Sequence, residues 1–556
     1  MTVDNKKQPT LIDALIPVAI LILMLFGAVK LYEDNSSYGP NQIALLLSAA
    51  VAMLIGYKNG FSWKELEEGI VKGISMALGA ILILLMVGSL IGTWILAGTV
   101  PTMIYYGLQI LDPAFFYAAA CLICALVSIS IGSSWTTAGT VGVALIGIAS
   151  GLELSVAIAA GAVISGAYFG DKMSPLSDTT NLAPAVTGTE LFIHIRHMAW
   201  TTGPSILIAI FLFLIIGLTE NSSATTAGLD TTLSVIDNHF NISILSLIPL
   251  VVVLVLAYKR MPAFPTLMIG ALLGGIFAIA FQPASTEKSV EDSIYSCQAS
   301  TKQSIKSCEV LSVDREKTQN GQNQYVVTFD VRPEFSFAFT LSKTLDSDKS
   351  QTISLSKNGQ EVIIELERRS YWVNAIDAVW RVMSGGYKSA TGDASVDELL
   401  SRGGMESMLN PTVWLILCAM TFGAVLETVG LLQCLVNSAL HLVKGTGSLV
   451  ITVIATCIGI NIIAADQYIA IVLPGRMYRA EFKRRKLHPK NLSRVLEDSA
   501  TITSPLIPWN TCGAFMASTL GVSTFIYLPF CFFNLINPIV SIIYGVTNFK
   551  IEKIKE

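Results

Sequence analysis

Long apolar runs alternate with short polar segments along most of the chain. The clearest apolar runs are Leu11–Tyr32, Leu78–Ala97, Ser205–Leu218 and Thr524–Tyr544. They approach the ~20 residues that an α-helix needs to cross the hydrocarbon core of a bilayer. Because a membrane span must satisfy its backbone hydrogen bonds internally, the pattern predicts an all-α polytopic protein embedded in a lipid bilayer.

Composition supports this interpretation and excludes several classes of function. The 556 residues are 52% hydrophobic and 14% charged, whereas soluble proteins carry about 25% charged residues. A net charge of -4 provides no basic surface for nucleic acid. The sequence has no Walker-type glycine-rich loop and no metal-site motif. We therefore expect no ATP-driven pumping, no cofactor and no enzymatic activity.

The longest polar interruption lies between residues 284 and 370. Apolar and polar residues alternate there at period two, which is typical of half-buried strands. The alternating runs are Tyr325–Val331, Phe335–Leu341, Thr352–Leu355 and Val362–Leu366. The segment predicts a small antiparallel β domain inserted between two membrane helices. If it lies outside the cytoplasm, Cys297 and Cys308 could form a disulfide.

Short matches between the two halves indicate an internal duplication. Leu15–Pro17 matches Leu247–Pro249, and Ser174–Leu176 matches Ser504–Leu506. The distance along the chain between the two copies is about a hundred residues greater for the second match than for the first. The second copy therefore contains an insertion of that length, which corresponds to the β domain. The predicted organisation is a first membrane repeat over 1–241, the start of a second over 242–283, the β domain over 284–370 and the remainder of the second repeat over 371–556.

Lysine and arginine placement predicts the orientation, since cytoplasmic loops are enriched in both residues. The basic segments include 58–72 and 476–486, whereas 219–241 contains neither Lys nor Arg. Placing the basic segments inside puts both termini in the cytoplasm and the β domain outside. The repeats then enter the membrane from opposite sides, an inverted arrangement found in many secondary transporters. Residues 98–150 could cross twice or fold back as a re-entrant hairpin.

Polar segments with prolines interrupt the apolar pattern at matching places in both halves. The first, Gly166–Pro184, has the sequence GAYFGDKMSPLSDTTNLAP, and the second, Thr501–Cys512, has the sequence TITSPLIPWNTC. Proline breaks helices, and freed backbone groups at membrane depth must be buried in protein or line a cavity. Both segments therefore predict broken helices at a transport site, although the first could also be an ordinary polar loop. The carboxylates Asp171 and Asp178 and the hydroxyls of the first segment are oxygen donors suited to a small cation, and Ser504 and Asn510 are oxygen-bearing candidates in the second.

A second pair of polar interruptions strengthens this prediction. Ser130–Thr140 is rich in serine, threonine and glycine, and Gly459–Ile469 contains Asp466. An aspartate inside a membrane is costly and usually functional, so Asp466 joins the candidate site. A position at a helix end would also explain it.

Two further charged residues are candidate relays for ions or protons. Glu427 lies within an apolar run. Lys172 could be a charge partner for Asp171 or Asp178, or a cation surrogate. Alternatively, its side chain could extend to the membrane surface.

The motif GAYFGDKMSPLSDTTNLAP closely resembles the signature of the NhaC-type Na⁺/H⁺ antiporters, within the larger ion transporter superfamily. Ser130–Thr140 and Val396–Met408 are also similar to stretches of that family, and the resemblance covers roughly 450 residues. It implies Na⁺/H⁺ exchange, and it places Asp171, Ser174, Asp178, Thr179 and Asn181 on the family motif. Some members instead couple malate against lactate to protons and sodium. The β insertion departs from the compact family pattern.

We therefore expect a secondary transporter of the bacterial cytoplasmic membrane that exchanges Na⁺ for H⁺ by alternating access, with Asp171 and Asp178 binding Na⁺. The main alternative is an organic-anion exchanger, because half-helix amino termini attract carboxylates. An ion channel would share the broken helices. An intramembrane protease would need paired aspartates, which Asp171 and Asp178 could provide. A homodimer is left open, as is an added sensory role for the β domain.

Overall fold

The computed structural model describes residues 6–32, 36, 38–220, 226–290, 295–301, 304–317, 323–331, 339–346, 351–357, 360–441 and 443–554. For residues 226–230 and 295–368 only the backbone is described. The membrane part is all-helical. Within the described ranges, eight helices are long and apolar enough to cross a membrane, and two pairs bent by 85° and 91° would raise the number to ten. The prediction of an all-α polytopic membrane protein is thus confirmed for this part.

The helices before the polar segment follow one another with short connections. Their bounds are α1 Leu11–Tyr32, α2 Pro40–Lys58, α3 Trp63–Leu96, α4 Thr99–Ile110, α5 Phe116–Ile131, α6 Ser134–Thr137, α7 Val143–Gly151, α8 Val156–Met173, α9 Asp178–Thr187, α10 Leu191–Thr219, α11 Thr226–His239, α12 Ile248–Tyr258, α13 Ala263–Phe281 and α14 Pro283–Lys288.

The helices after the polar segment include several short ones. Their bounds are α15 Tyr371–Gly385, α16 Ala394–Leu400, α17 Met405–Met408, α18 Trp414–Val429, α19 Leu431–Leu440, α20 Thr446–Ile463, α21 Gln467–Arg484, α22 Pro489–Leu496, α23 Thr511–Leu520, α24 Thr524–Tyr527 and α25 Phe532–Thr547. Among the residues that the structure describes, three stretches are wound as π-helix, namely Ala138–Gly142, Leu409–Val413 and Glu497–Thr501. The last of these, Glu497–Thr501, is called the π-helical segment from here on. Such turns are frequent at functional sites.

The 34-residue helix α3 is a central packing element and begins with a capping box between Ser62 and Glu65. It packs against α13, α15, α17 and α18. Near its carboxyl end the neighbouring backbone approaches closely, since Gly404 N donates to Gly88 O at 2.7 Å. Gly403 has φ +89° and a Cβ there would lie 2.4 Å from Gly92 N, so glycine is required. This contact explains the glycine pair in the 396–408 stretch.

The described ranges of the polar segment contain six strands. Their bounds are β1 Tyr295–Thr301, β2 Ser304–Lys317, β3 Asn323–Val331, β4 Phe339–Asp346, β5 Gln351–Lys357 and β6 Gln360–Arg368. They form one antiparallel sheet with the order β4-β3-β2-β1-β6-β5. Cys297 and Cys308 lie on the neighbouring strands β1 and β2. Their side chains are outside the described part of the structure, so the disulfide stays a prediction.

Candidate ion-binding site

Four helix breaks meet in the interior, two from each half of the chain. In each, a polar side chain accepts a backbone hydrogen bond from the first turn of the next helix, which satisfies a donor that the helix itself leaves unpaired. The capping residues are Ser133 before α6, Ser177 before α9, Asp466 before α21 and Asn510 before α23. The sequence prediction that Gly166–Pro184 and Thr501–Cys512 interrupt helices is therefore confirmed.

Asp171 connects two of these breaks. It lies in the last turn of α8 and is only 9% exposed. Its Oδ2 accepts hydrogen bonds from Ser134 N at 3.1 Å and from Ser134 Oγ at 2.7 Å. The end of α8 is thereby joined to the amino terminus of α6, where the partial positive charge of the helix favours a carboxylate.

The turn between α8 and α9 presents a second carboxylate. Asp178 is the first residue of α9 and is exposed to the cavity described below. The preceding Ser177 caps the helix, and its Oγ lies 3.2 Å from Thr179 Oγ1. Asn181 closes the turn, because its Nδ2 donates to Pro175 O at 2.9 Å and to Ser177 O at 2.7 Å.

Asp466 belongs to the break in the second half. Its Oδ1 accepts from Tyr468 N at 2.9 Å and from Ile469 N at 3.0 Å, and the residue is 7% exposed. It ends a helix break as a cap, and it also lines the cavity.

A cavity of about 820 Å³ lies between the breaks. Its walls come from α3, α6, α8, α9, α21, α23 and the connection between α12 and α13. Five of the eight predicted ion-binding residues line it: Asp171, Asp178, Thr179, Asn181 and Asp466. Arg260 is the one cationic residue among the lining residues described. Within the described part of the chain, no three His, Cys, Asp or Glu side chains form a metal site.

The structure does not bring three predicted residues to this cavity. Ser174 Oγ donates to Ile129 O at 2.7 Å, and Ser504 Oγ donates to Thr501 O at 2.8 Å. Asn510 caps α23, and its Nδ2 donates to Asn461 O at 3.1 Å. All three candidates are fully buried behind the cavity wall. The candidate relay Glu427 is exposed near the carboxyl end of α18 and does not line the cavity either.

Lys172 corrects one sequence hypothesis. It pairs with Asp498 of the π-helical segment, and both side chains are completely buried. It is therefore neither the partner of Asp171 or Asp178 nor a side chain that extends to the membrane surface. The sequence could not reveal this pairing, because the two residues are 326 positions apart.

Several lining residues were not nominated from the sequence. They are Ser133, Ser134, Ser177, Gln467, Tyr468, Thr511 and Arg260. Most of them could have been found from the sequence, since they lie in or beside the four polar interruptions of the apolar pattern. Arg260 is different, because a basic residue at the end of an apolar run indicates only topology.

Most of the chain is similar to known proteins. The model of the Na⁺/H⁺ antiporter family matches residues 166–301 and 373–549. The chain is 34% identical over 504 residues to the Na⁺/H⁺ antiporter NhaC of Alkalihalophilus pseudofirmus, which covers 90% of this chain and 89% of that protein. The chain belongs to the Na⁺/H⁺ antiporter family. The resemblance to NhaC-type antiporters in the sequence motif is thus confirmed.

Other members of the family are equally extensive matches. An uncharacterized Na⁺/H⁺ antiporter of Haemophilus influenzae is 32% identical over 557 residues and covers both chains completely. The malate-2H⁺/Na⁺-lactate antiporter of Bacillus subtilis is 31% identical over 544 residues, covering 98% of this chain and 96% of that protein. The relatives are antiporters, and their names state different cargo.

Proposed function

We propose that this chain exchanges Na⁺ for H⁺ across the bacterial cytoplasmic membrane by alternating access. One observation carries the proposal: Asp171 and Asp178 from the break between α8 and α9, and Asp466 from the break before α21, line a single cavity. Carboxylates are costly inside a membrane, and their usual role there is to bind ions or protons. Na⁺ is a hard cation that suits carboxylate, hydroxyl and carbonyl oxygens, all of which this cavity offers.

The charge of these carboxylates also explains how the movement of Na⁺ could be coupled to the movement of protons. An empty cavity with ionised aspartates carries uncompensated negative charge, which opposes any movement that would exclude water from it. Either bound Na⁺, or protons taken up by the aspartates or by acidic groups coupled to them, reduce that negative charge and permit the change of access. Exchange follows if the empty form does not reorient, because each outward passage of Na⁺ must then be followed by an inward passage of protons.

The basic residues assign a side to the cavity. Arg260 and the first turn of α13 line it, and they belong to a segment that the positive-inside rule places in the cytoplasm. A second cavity of about 500 Å³ is lined by residues that include Tyr38, Asn410 and Ala514. We place this second cavity on the outer side, together with the sheet, and both termini in the cytoplasm. The conformation is then open to the inside.

The barrier between the two cavities has an identifiable core. Trp135 lines the first cavity, and its ring stacks on Phe515 with centroids 4.1 Å apart and planes at 17°. Phe515 follows Ala514, which lines the second cavity, and Phe515 is completely buried. In this proposal the opening of the outer path separates the two rings, while α6 and α9 close the inner one.

A second candidate function is exchange of an organic anion coupled to Na⁺ and H⁺. The cavity volume of about 820 Å³ greatly exceeds the space that a sodium ion needs. Arg260 could bind a carboxylate, as could the amino termini of α6, α9, α21 and α23. The Bacillus subtilis relative named for malate and lactate makes this chemistry a specific alternative.

Everted membrane vesicles test both candidates directly. A pH-sensitive dye follows a preformed proton gradient while NaCl, LiCl, KCl, and malate with lactate are added in turn. Collapse of the gradient by Na⁺ alone supports Na⁺/H⁺ exchange. A response that requires the organic anions supports the second candidate, and no difference from vesicles of cells that lack the protein contradicts both.

A further inference from the structure

Four charged side chains lie behind the cavity wall. Lys172 of α8, Arg494 of α22, and Glu497 and Asp498 of the π-helical segment are all completely buried. We call these four residues the buried charge cluster. Glu497 and Asp498 are neighbours in sequence, but their surroundings differ in a way that assigns them different roles.

Asp498 has an environment that favours its ionised form. Its Oδ1 accepts from Lys172 Nζ, from Thr201 Oγ1 at 2.9 Å and from Asn537 Nδ2 at 3.0 Å. Arg494 Nε lies 3.7 Å from its Oδ2. A buried carboxylate with two cations and three hydrogen-bond donors is held as an anion.

Glu497 has the opposite environment. It is completely buried, and neither of its carboxylate oxygens has a hydrogen-bond partner among the described residues. An ionised carboxylate in such a place would lose its hydration without gaining hydrogen bonds, which favours the protonated form of Glu497 in this conformation. Where two neighbouring acids have such contrasting environments, one can carry a proton while the other stays charged.

The charge balance of the cluster makes that proton exchangeable. Lys172 and Arg494 contribute two positive charges, and Asp498 contributes one negative charge. An ionised Glu497 would therefore make the cluster neutral, which offsets part of the cost of its ionisation. The charged groups that act on Glu497 are Lys172, Asp498 and also Asp171 of the cavity.

Asp171 connects this balance to the ion site. Its negative charge opposes ionisation of Glu497, and Na⁺ bound at Asp171 would remove that opposition. The π-helical segment also packs against α9 and α21, which both form walls of the cavity. A change of access that moves these helices would open Glu497 to water.

We propose that Glu497 carries the exchanged proton, while Asp171 and Asp178 hold Na⁺. The inference rests on the proposed Na⁺/H⁺ exchange. Na⁺ and the proton then compete through charge rather than for one carboxylate. Binding of Na⁺ at Asp171 favours release of the proton of Glu497 to water, and by linkage protonation of Glu497 favours release of Na⁺ from Asp171. Proton and sodium therefore use separate groups.

Other titratable groups surround the cluster and must be distinguished from Glu497. The packed helices α10, α20, α21 and α25 contribute His194, Cys457, Tyr478 and Tyr544. His194 is the main rival, because it is completely buried and its Nε2 has no hydrogen-bond partner among the described residues. Its Nδ1 lies 2.8 Å from Ser493 Oγ.

Two fluxes measured on purified full-length protein in liposomes test the proposal. One is proton movement driven by a Na⁺ gradient, and the other is exchange of ²²Na⁺ against Na⁺ at equal pH on both sides. Glu497→Gln keeps the shape of the side chain and removes its titration. We expect it to reduce the Na⁺-driven proton flux by at least about tenfold and to leave Na⁺/Na⁺ exchange within about twofold of wild type. Glu68→Gln, at an exposed position of α3, is the matched control.

Each other outcome has a defined meaning. Normal proton coupling in Glu497→Gln, or equal loss of both fluxes in a folded variant, overturns the proposal. Loss of proton coupling in His194→Gln, with normal coupling in Glu497→Gln, assigns the proton to His194 instead. If Glu497→Gln does not fold, Glu497→Asp decides, because an unchanged pH profile of its exchange also overturns the proposal. Absence of Na⁺-driven proton flux in wild type would instead contradict the proposed function itself.

Discussion

The break between α8 and α9 and the break between the π-helical segment and α23 have similar local chemistry but different surroundings. Both contain a Ser-Pro-Leu triplet, and both are followed by a helix with a side-chain cap, Ser177 in one and Asn510 in the other. The first break presents the carboxylates Asp171 and Asp178 to the cavity. The second has no carboxylate between Ser504 and Asn510.

The polar groups of the second break are used within the protein. Ser504 bonds to Thr501 O, and Asn510 bonds to Asn461. The same local structure, a Ser-Pro-Leu triplet followed by a capped helix, thus serves two purposes. One break supplies negative charge for ions, and the other fixes the amino terminus of α23 at the cavity wall. Substitutions at the two breaks should therefore have different consequences, one for transport and the other for stability.

The largest effect is expected at the first break. Asp171→Asn removes the charge and retains an oxygen that can accept from Ser134. We expect Na⁺-driven proton flux to fall by about a hundredfold or more, since the substitution removes a carboxylate charge that faces the cargo at membrane depth. Expression and melting temperature should stay close to wild type. The measurement is flux in proteoliposomes containing equal amounts of folded protein.

Asp112→Asn is the control for that substitution. Asp112 is exposed and caps a short 3₁₀ turn by accepting from Ala114 N at 2.8 Å. Asparagine is an equally good cap, so flux and stability should not change. If Asp171→Asn exchanges ions at the wild-type rate, Asp171 has no role in the mechanism. The proposed difference between the two breaks, one for transport and the other for stability, would then be wrong.

Sequence patterns predicted the breaks because their causes are local. Proline and capping residues act within a few positions, so Ser174–Ser177 and Asp466 could be located without a structure. What each side chain contacts is a tertiary property. Nothing near Asp171 in the sequence indicates Ser134, and nothing near Lys172 indicates Asp498. For the same reason, the pattern could not show that Ser504 and Asn510 are buried behind the wall rather than exposed to the cavity.

The second effect is on stability and concerns Asn510. In Asn510→Asp one oxygen can still cap α23, but the other replaces an amide that donates to Asn461 O and Asn461 Oδ1. Two acceptors would then face each other in a buried place, which costs about 2 kcal/mol. We expect a lower melting temperature in detergent, measured by the fluorescence of buried tryptophans. Asn510→Ser, which keeps a cap without adding charge, should lose about half as much stability.

The KM for Na⁺ decides whether Asn510 has a structural role or belongs to the ion site. If Asn510 has only a structural role, the folded fraction of Asn510→Ser should exchange Na⁺ with an unchanged KM. A KM raised by about tenfold in folded protein would instead return Asn510 to the ion site and make the two breaks functionally equivalent.

The third prediction separates the two roles of Asp466. Asp466→Asn keeps a good cap for Tyr468 N and Ile469 N but removes the charge. We expect the KM for Na⁺ to rise by about tenfold with little change in melting temperature. Asp466→Ala should show the same rise and also lose about 1 kcal/mol of stability through the missing cap. Wild-type KM in Asp466→Asn would leave Asp466 as a cap only.

The smallest effect is expected for Glu427→Gln. Glu427 is exposed near the carboxyl end of α18 and reaches the site only through its charge, which acts on Asp466. An acidic side chain at a helix carboxyl terminus is mildly unfavourable, so glutamine should raise stability by about 0.3 kcal/mol. Exchange measured across pH 6 to 9 should change by less than about twofold, because solvent screens the charge. A tenfold loss would show that Glu427 relays protons to Asp466, and the second half of the chain would then carry ions as the first does.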